Sequence, residues 1–176
     1  MRLYHGGRIE GAPEVRPHRG GHAEHGAGIY LTTSWETAAK YAKGGGRVYC
    51  FLLKDRLTWI NEVRVPYDNA LLLVKRLPRV RGGRADLMQR LRRWEAGVPA
   101  EVLLNLVVNT GSSSGETGAM VSRFLADGGV DAVLERRGLE DWVVVLNPAV
   151  VMNVSVVPPK AVGSHEFPFD LPRVSP

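Results

Sequence analysis

The stretch that decides the fold reads Gly26-Ala27-Gly28-Ile29-Tyr30-Leu31-Thr32-Thr33-Ser34-Trp35-Glu36-Thr37-Ala38-Ala39-Lys40-Tyr41. Gly28 to Leu31 is a short apolar run after a glycine bend, which predicts a strand. Thr33 followed three residues later by Glu36 has the capping-box pattern, so a helix is predicted to start there. That helix carries Ala38, Ala39 and Tyr41 and stops at Gly44-Gly45-Gly46.

On the N-terminal side, Arg2-Leu3-Tyr4-His5 predicts a short strand ending at Gly6-Gly7, followed by a Gly/His/Pro-rich loop to about Gly26. On the other side, Arg47 to Lys54 predicts a third strand, rich in aromatic and aliphatic residues. The middle of the chain, about 66–129, reads as helical. Asp68 is placed to cap a helix reaching Pro78, and Ala85 to Trp94 and Pro99 to Val108 give two more. A Gly/Ser/Thr loop from Thr110 to Gly118 precedes a last helix ending at Gly128-Gly129. Asp131 to Leu134, Trp142 to Leu146 and Met152 to Val157 predict strands, and a proline-rich tail covers about 158–176. Strands at both ends with helices between them imply an α+β fold in one domain, 1–176, with a central sheet assembled from both ends of the chain.

The totals agree with one globular domain. The chain has 176 residues, 44% hydrophobic and 23% charged, enough to build a core without staples. Its single cysteine, Cys50, excludes an intramolecular disulfide and, set in an apolar run, reads as a structural thiol. The net charge of +5, carried mostly by arginine, favours anionic partners. No stretch approaches the roughly 18 apolar residues that span a membrane, and no basic-then-apolar leader opens the chain. The expectation is a cytoplasmic protein with no membrane partner, export without a cleaved signal staying open.

Four elements carry candidate chemistry, each bland when taken alone. Tyr4-His5-Gly6 is a strand end, Gly28-Ile29-Tyr30-Leu31 a buried strand, Tyr41 a helix aromatic and Asp141-Trp142-Val143-Val144 a strand with a carboxylate at its entrance. Together and in this order they resemble the poly(ADP-ribose) polymerase-type branch of the ADP-ribosyltransferases, in its small bacterial or phage-like form. Gly26-Ala27-Gly28-Ile29-Tyr30-Leu31 followed by Ala39-Lys40-Tyr41 is similar to that family's G-x-G-I-Y-F … A-N-Y. His5-Gly6 stands for its H-G, and Asp141-Trp142-Val143-Val144 for its late acid-aromatic-V-V element. The resemblance covers about residues 2–54 and 130–157.

The resemblance implies a split central β-sheet with an inserted helical segment. It also implies transfer of ADP-ribose from NAD, as co-substrate, to a protein or nucleic-acid acceptor, with nicotinamide released. Breaking the nicotinamide–ribose bond builds positive charge on the ribose, so such a site needs a carboxylate placed to stabilise it. It also needs aromatic faces for the nicotinamide ring and a close backbone for its carboxamide. By resemblance, His5 would bind a ribose, Gly6 the carboxamide, Tyr30 and Tyr41 the nicotinamide, and Asp141 would be the catalytic acid. Glu140 is the reserve acid, because successive strand residues face opposite sides and only one can point inward. Aspartate replaces the family's usual glutamate, and Ala38 stands where many relatives carry serine. Mono-transfer is expected of a chain this short.

Two other clusters receive plainer readings. His18, His22 and His25 lie in a glycine-rich loop without helical spacing or cysteine, so no metal is expected and a place on the rim over NAD is favoured. The basic segment Lys75 to Arg93 is a solvated helix face or, alternatively, a phosphate-backbone contact. Three rival functions remain: an NAD glycohydrolase, a non-catalytic nucleic-acid or partner-binding module, and an RNA 2′-phosphotransferase. The last ranks low, because its paired arginines and second histidine find no counterpart beside these motifs.

Overall fold

A computed structural model of the chain describes residues 1–15, 25–44, 46–78, 80, 82–109 and 115–157. Three strands and a helix form the N-terminal part: β1 (Arg2–Gly7), β2 (Ile29–Thr32), α1 (Trp35–Tyr41) and β3 (Arg47–Leu53). A helical stretch follows, in which β4 (Arg64–Val65) leads into α2 (Tyr67–Arg76) and α3 (Arg84–Leu91), and β5 (Val98–Pro99) into α4 (Ala100–Asn109) and α5 (Gly115–Asp127). The chain then returns to the sheet with β6 (Ala132–Arg137), β7 (Glu140–Val145) and β8 (Val151–Val156). The result is a mixed α+β fold with a six-stranded sheet in the order β6-β7-β2-β1-β3-β8, every neighbouring pair antiparallel. As expected, the two ends of the chain build the sheet and the middle supplies helices.

Local chemistry explains the element ends. The N-cap of α1 falls one residue later than the sequence suggests. Ser34 is the N-cap: its hydroxyl accepts from the Thr37 N–H at 3.1 Å and donates to Glu36 at 3.2 Å. Thr33 is held back by the sheet, its N–H donating to the Asp141 carbonyl while its hydroxyl accepts from the Asp141 N–H, both at 3.0 Å. Asp68 is likewise no cap: Pro66 holds that position, with Asp68 in the first turn of α2. The strand pair β4–β5, in which Arg64 faces Pro99, was not legible in so short a segment.

Facing residues on paired strands point to the same side of a sheet. The register therefore puts Tyr4, Tyr30, Thr32, Val144 and Val133 on one face and Leu3, Leu31, Phe51 and Val143 on the other. The inserted helices bury Leu73, Leu87, Leu103 and Leu125 against Val133, Val144 and Leu146 of the first face. Helix α1 covers the same face further along, with Ala38 packed on Tyr4 and Val48. Here strand and helix touch through their backbones, since a Cβ on Gly6 would lie 1.7 Å from the Ala38 carbonyl oxygen. The second face carries its own cluster of Leu3, Ile29, Leu31, Phe51, Leu53, Val143 and Val145.

Candidate active site

The sheet opens between its two central strands. β1 and β3 share six facing pairs, from Arg2↔Leu52 to Gly7↔Arg47, whereas β1 and β2 share one, Tyr4↔Thr32. Continuing the β1–β2 register would bring Gly6 opposite Tyr30. Instead the strands part, and the Nδ1–H of His5 donates to the Tyr30 carbonyl oxygen at 2.9 Å. The imidazole thus satisfies a backbone acceptor that the opened ladder leaves behind. A carbonyl can only accept, so the neutral ring carries its proton on Nδ1 and keeps a lone pair on Nε2. Gly7 makes the room: a Cβ there would sit 2.9 Å from Nε2.

A cavity of about 740 Å³ occupies the opening. That volume falls in the range of roughly 300–1,000 Å³ typical of small-molecule sites. Its walls include Tyr30, Thr32, Trp142 and Val144 from one face of the sheet and His5, Ile29 and Phe51 from the other. A continuous sheet would keep these two sets apart; only an opening between strands lets one cavity touch both. Gly6 and Tyr41 also line it. Four of the residues expected at the site, His5, Gly6, Tyr30 and Tyr41, are therefore brought together.

The rings are held at different firmness. The Tyr30 hydroxyl donates to the Gly26 carbonyl at 2.8 Å and accepts from the His25 N–H at 3.3 Å, tying the preceding loop to the strand. Tyr41 is 62% exposed and meets Trp142 edge-on, with centroids 5.7 Å apart at 86°. The Arg137 guanidinium lies over the same indole, 5.6 Å from its centroid. Arg137 also reaches Glu135 through Nε at 2.9 Å, and Glu135 accepts from His25 Nε2 at 2.5 Å. Burial opposes the charge on Glu135, but the bonds from Arg137 and His25 outweigh it and hold this carboxyl below its usual range. Tyr41, Trp142, Arg137, Glu135 and His25 thus form one continuous polar-aromatic wall.

The two adjacent acids separate. Trp142 and Val144 line the cavity, and β7 begins at Glu140, so Glu140 shares their face. Its carboxylate accepts from the Thr32 hydroxyl at 3.1 Å, and that hydroxyl in turn accepts from the Ser34 N–H at 3.1 Å. Asp141 shares the face of Val143 and Val145, and neither of the two acids is among the residues that line the cavity. The expected acid, Asp141, is therefore not brought to the cavity lining with His5, Gly6, Tyr30 and Tyr41.

Other expectations fall to the structure in different ways. Cys50 is half-buried, and burial pushes its thiol up against the opposing pull of Arg2, in keeping with a structural role. Burial raises Tyr4 to about 12, so its phenol stays protonated. His18 and His22 lie outside the described residues, and among the described residues no group of three or more His, Cys, Asp or Glu forms a metal-binding cluster. No helix among the described residues is long and apolar enough to cross a membrane. In the basic segment, Arg79 and Arg81 are outside the described residues. Arg84 bonds the Leu77 carbonyl and Arg90 pairs with Asp86 at 2.9 Å, while Lys75, Arg76, Arg92 and Arg93 are exposed.

Glu135 is the site residue that sequence reasoning missed. The strand expected at Asp131 to Leu134 runs on to Arg137 and turns through Gly138, at φ 65°, into β7. The signal was present in Arg137-Gly138-Leu139-Glu140, a glycine hairpin flanked by alternating residues. Reading it would have set Glu135 opposite Trp142 and Arg137 opposite Glu140. No protein-family profile, no curated protein and no solved structure matches the chain.

Proposed function

We propose that the chain is an NAD-dependent mono-ADP-ribosyltransferase with the split sheet of that superfamily. One observation carries the reading: the sheet parts at a single residue pair, and His5, Gly6, Tyr30 and Tyr41, far apart in sequence, line the cavity that results. In this proposal Tyr30 and Tyr41 receive the nicotinamide ring and His5 Nε2 accepts from a ribose hydroxyl. Glu140, fixed by Thr32, stabilises the oxocarbenium charge that grows as the C1′–N bond breaks. The bonding electron pair leaves with nicotinamide, and the acceptor's nucleophile forms the new bond to C1′. Glu140 takes the acid's part in place of Asp141 because it shares the strand face of Trp142 and Val144 and is held by the hydroxyl of Thr32, three residues that line the cavity. The acceptor is a protein or nucleic acid, and the exposed cations of the Lys75 to Arg93 segment are the surface that would hold an anionic one.

The test is nicotinamide release from NAD by the purified chain, with and without host lysate, for the wild type, His5→Ala, Glu140→Gln and Asp141→Asn. Release that is lost in Glu140→Gln, kept in Asp141→Asn and raised by lysate supports the proposal. Lysate-independent release of free ADP-ribose would make the chain a glycohydrolase instead. Failure of the wild type to bind NAD, with tight salt-sensitive binding of nucleic acid, would replace the enzyme by a binding module.

A further inference from the structure

The β6–β7 ladder that holds Glu140 carries a second carboxylate, Glu135, to which the reading above gives no task. Glu135 faces Trp142 across the β6–β7 ladder, and Arg137 faces Glu140. Glu135 and Glu140 are therefore diagonal neighbours on one face, about 7–8 Å apart along the backbone. Their environments differ. Glu140 accepts from a neutral threonine hydroxyl, whereas Glu135 is clamped between Arg137 Nε at 2.9 Å and His25 Nε2 at 2.5 Å. Both partners of that second pair line the cavity and keep limited exposure, 22% for the His25 side chain and 28% for Glu135.

The carboxylate decides how His25 is protonated. An ionised carboxylate only accepts, so the imidazole places a proton on Nε2. In the neutral ring Nδ1 then carries the lone pair, and the ring has no other hydrogen bond among the described residues. Arg137 keeps Glu135 charged without occupying His25. A carboxylate that orients an imidazole, leaving its far nitrogen basic, is the arrangement that activates a hydroxyl nucleophile.

We propose that His25, oriented by Glu135, is the general base on the acceptor side of this site. Nδ1 takes the proton of an acceptor hydroxyl as its oxygen bonds to C1′, while the C1′–N bond breaks and its electron pair leaves with nicotinamide. The proton rests on His25, whose positive charge Glu135 balances, and returns to solvent when the product leaves. This rests on the transferase reading. It further commits the acceptor to a nucleophile that bears a proton, a hydroxyl rather than a carboxylate. Without the base, an uncaptured oxocarbenium ion collapses back onto nicotinamide.

The experiment follows nicotinamide release and methyl-ADP-ribose formation by the full chain at pH 8, with NAD in aqueous methanol. The variants are His25→Ala and, as a shape-preserving partner, Glu135→Gln. His25→Ala is expected to slow both readouts by about 10²–10⁴-fold, the usual contribution of a positioned base, with NAD affinity within a few-fold of wild type. Added 4-methylimidazole is expected to restore turnover more than 4-bromoimidazole, which is similar in size but far less basic. Glu135→Gln is expected to fall between wild type and His25→Ala. Wild-type turnover in His25→Ala overturns the proposal, and so does equal rescue by the two imidazoles, which would mean the ring only fills space. Should His25→Ala fail to fold, Glu135→Gln decides: turnover at the wild-type rate overturns the dyad. A wild type that binds no NAD removes the transferase reading and the dyad together, an outcome distinct from active enzyme indifferent to His25.

Discussion

The two edges of β1 are built from the same six residues and behave oppositely. Toward β3 every residue from Arg2 to Gly7 has a facing partner, and Phe51 and Leu53 beside it are wholly buried. Toward β2 only Tyr4 is paired, and an imidazole and a cavity take the place of the ladder. The first edge is specified by apolar alternation and backbone hydrogen bonds. The second is specified by His5, which caps a stranded carbonyl, and by Gly6 and Gly7, which admit α1 and the imidazole. The contrast teaches that the site lies where backbone pairing is given up, and that the residues marking it are those a strand alone would not choose.

The harshest way to break the contrast is Gly6→Ala. The added carbon would lie 1.7 Å from the Ala38 carbonyl oxygen and 3.0 Å from the Ala42 nitrogen, both backbone atoms of the α1 region that cannot swing aside. A loss of more than about 3 kcal/mol in denaturant stability is expected, at the upper end of overpacking costs. Gly44→Ala is the control. Its φ of 69° is unfavourable for alanine but its surroundings are open, so about 1–2 kcal/mol is expected. Equal losses from the two would mean that the strand–helix contact is not tight.

The acids come next. Glu140→Gln should lower nicotinamide release by about 10²–10³-fold, equivalent to roughly 2.7–4 kcal/mol of transition-state stabilisation, with stability nearly unchanged. Asp141→Asn, on the other face of the same strand, should stay within a few-fold of wild type. The reverse ranking in this assay would restore Asp141 as the acid.

These two acids also mark the limit of what the sequence discloses. The order of elements was legible because apolar periodicity and glycine stops are local signals: Gly28 to Leu31, the α1 pattern and the strands at both ends all appear where expected. The convergence of His5, Gly6, Tyr30 and Tyr41 was legible only through a resemblance in motif order. Facing was not legible. Whether residue 140 or 141 points inward depends on where β7 begins, and the choice turned on a single residue at the Gly138 hairpin. The same shift hid Glu135, since a strand stopped at Leu134 has no facing partner for Trp142.

A smaller effect probes the helices packed on the first face of the sheet. Ser122 on α5 is fully buried, and its hydroxyl has no hydrogen-bond partner among the described residues. A buried hydroxyl left unpaired costs about 1–3 kcal/mol relative to an apolar group of the same shape. Ser122→Ala should therefore leave stability unharmed and raise it by about 1 kcal/mol, read from the denaturation midpoint. A loss of similar size would reveal a partner for the hydroxyl, a bound water being the simplest.

The finest test concerns the clamp on Glu135, where site and stability meet. A carboxyl whose folded pKa is lowered stabilises the fold fully above its unfolded value, near 4.5, and loses that contribution as pH falls through the folded value. Glu135→Gln cannot show this loss. The stability difference between wild type and Glu135→Gln should then be largest near pH 5 and shrink steadily toward pH 2, as the wild-type carboxyl takes up its proton. Because the group is partly exposed, added salt should weaken the difference further. A difference that stays flat from pH 5 to pH 2 would mean that Arg137 and His25 do not hold the ionised carboxylate in solution. The opened edge of β1 would then face a looser wall than its tight geometry with Glu135 describes, and His25 would lose the partner that fixes its proton.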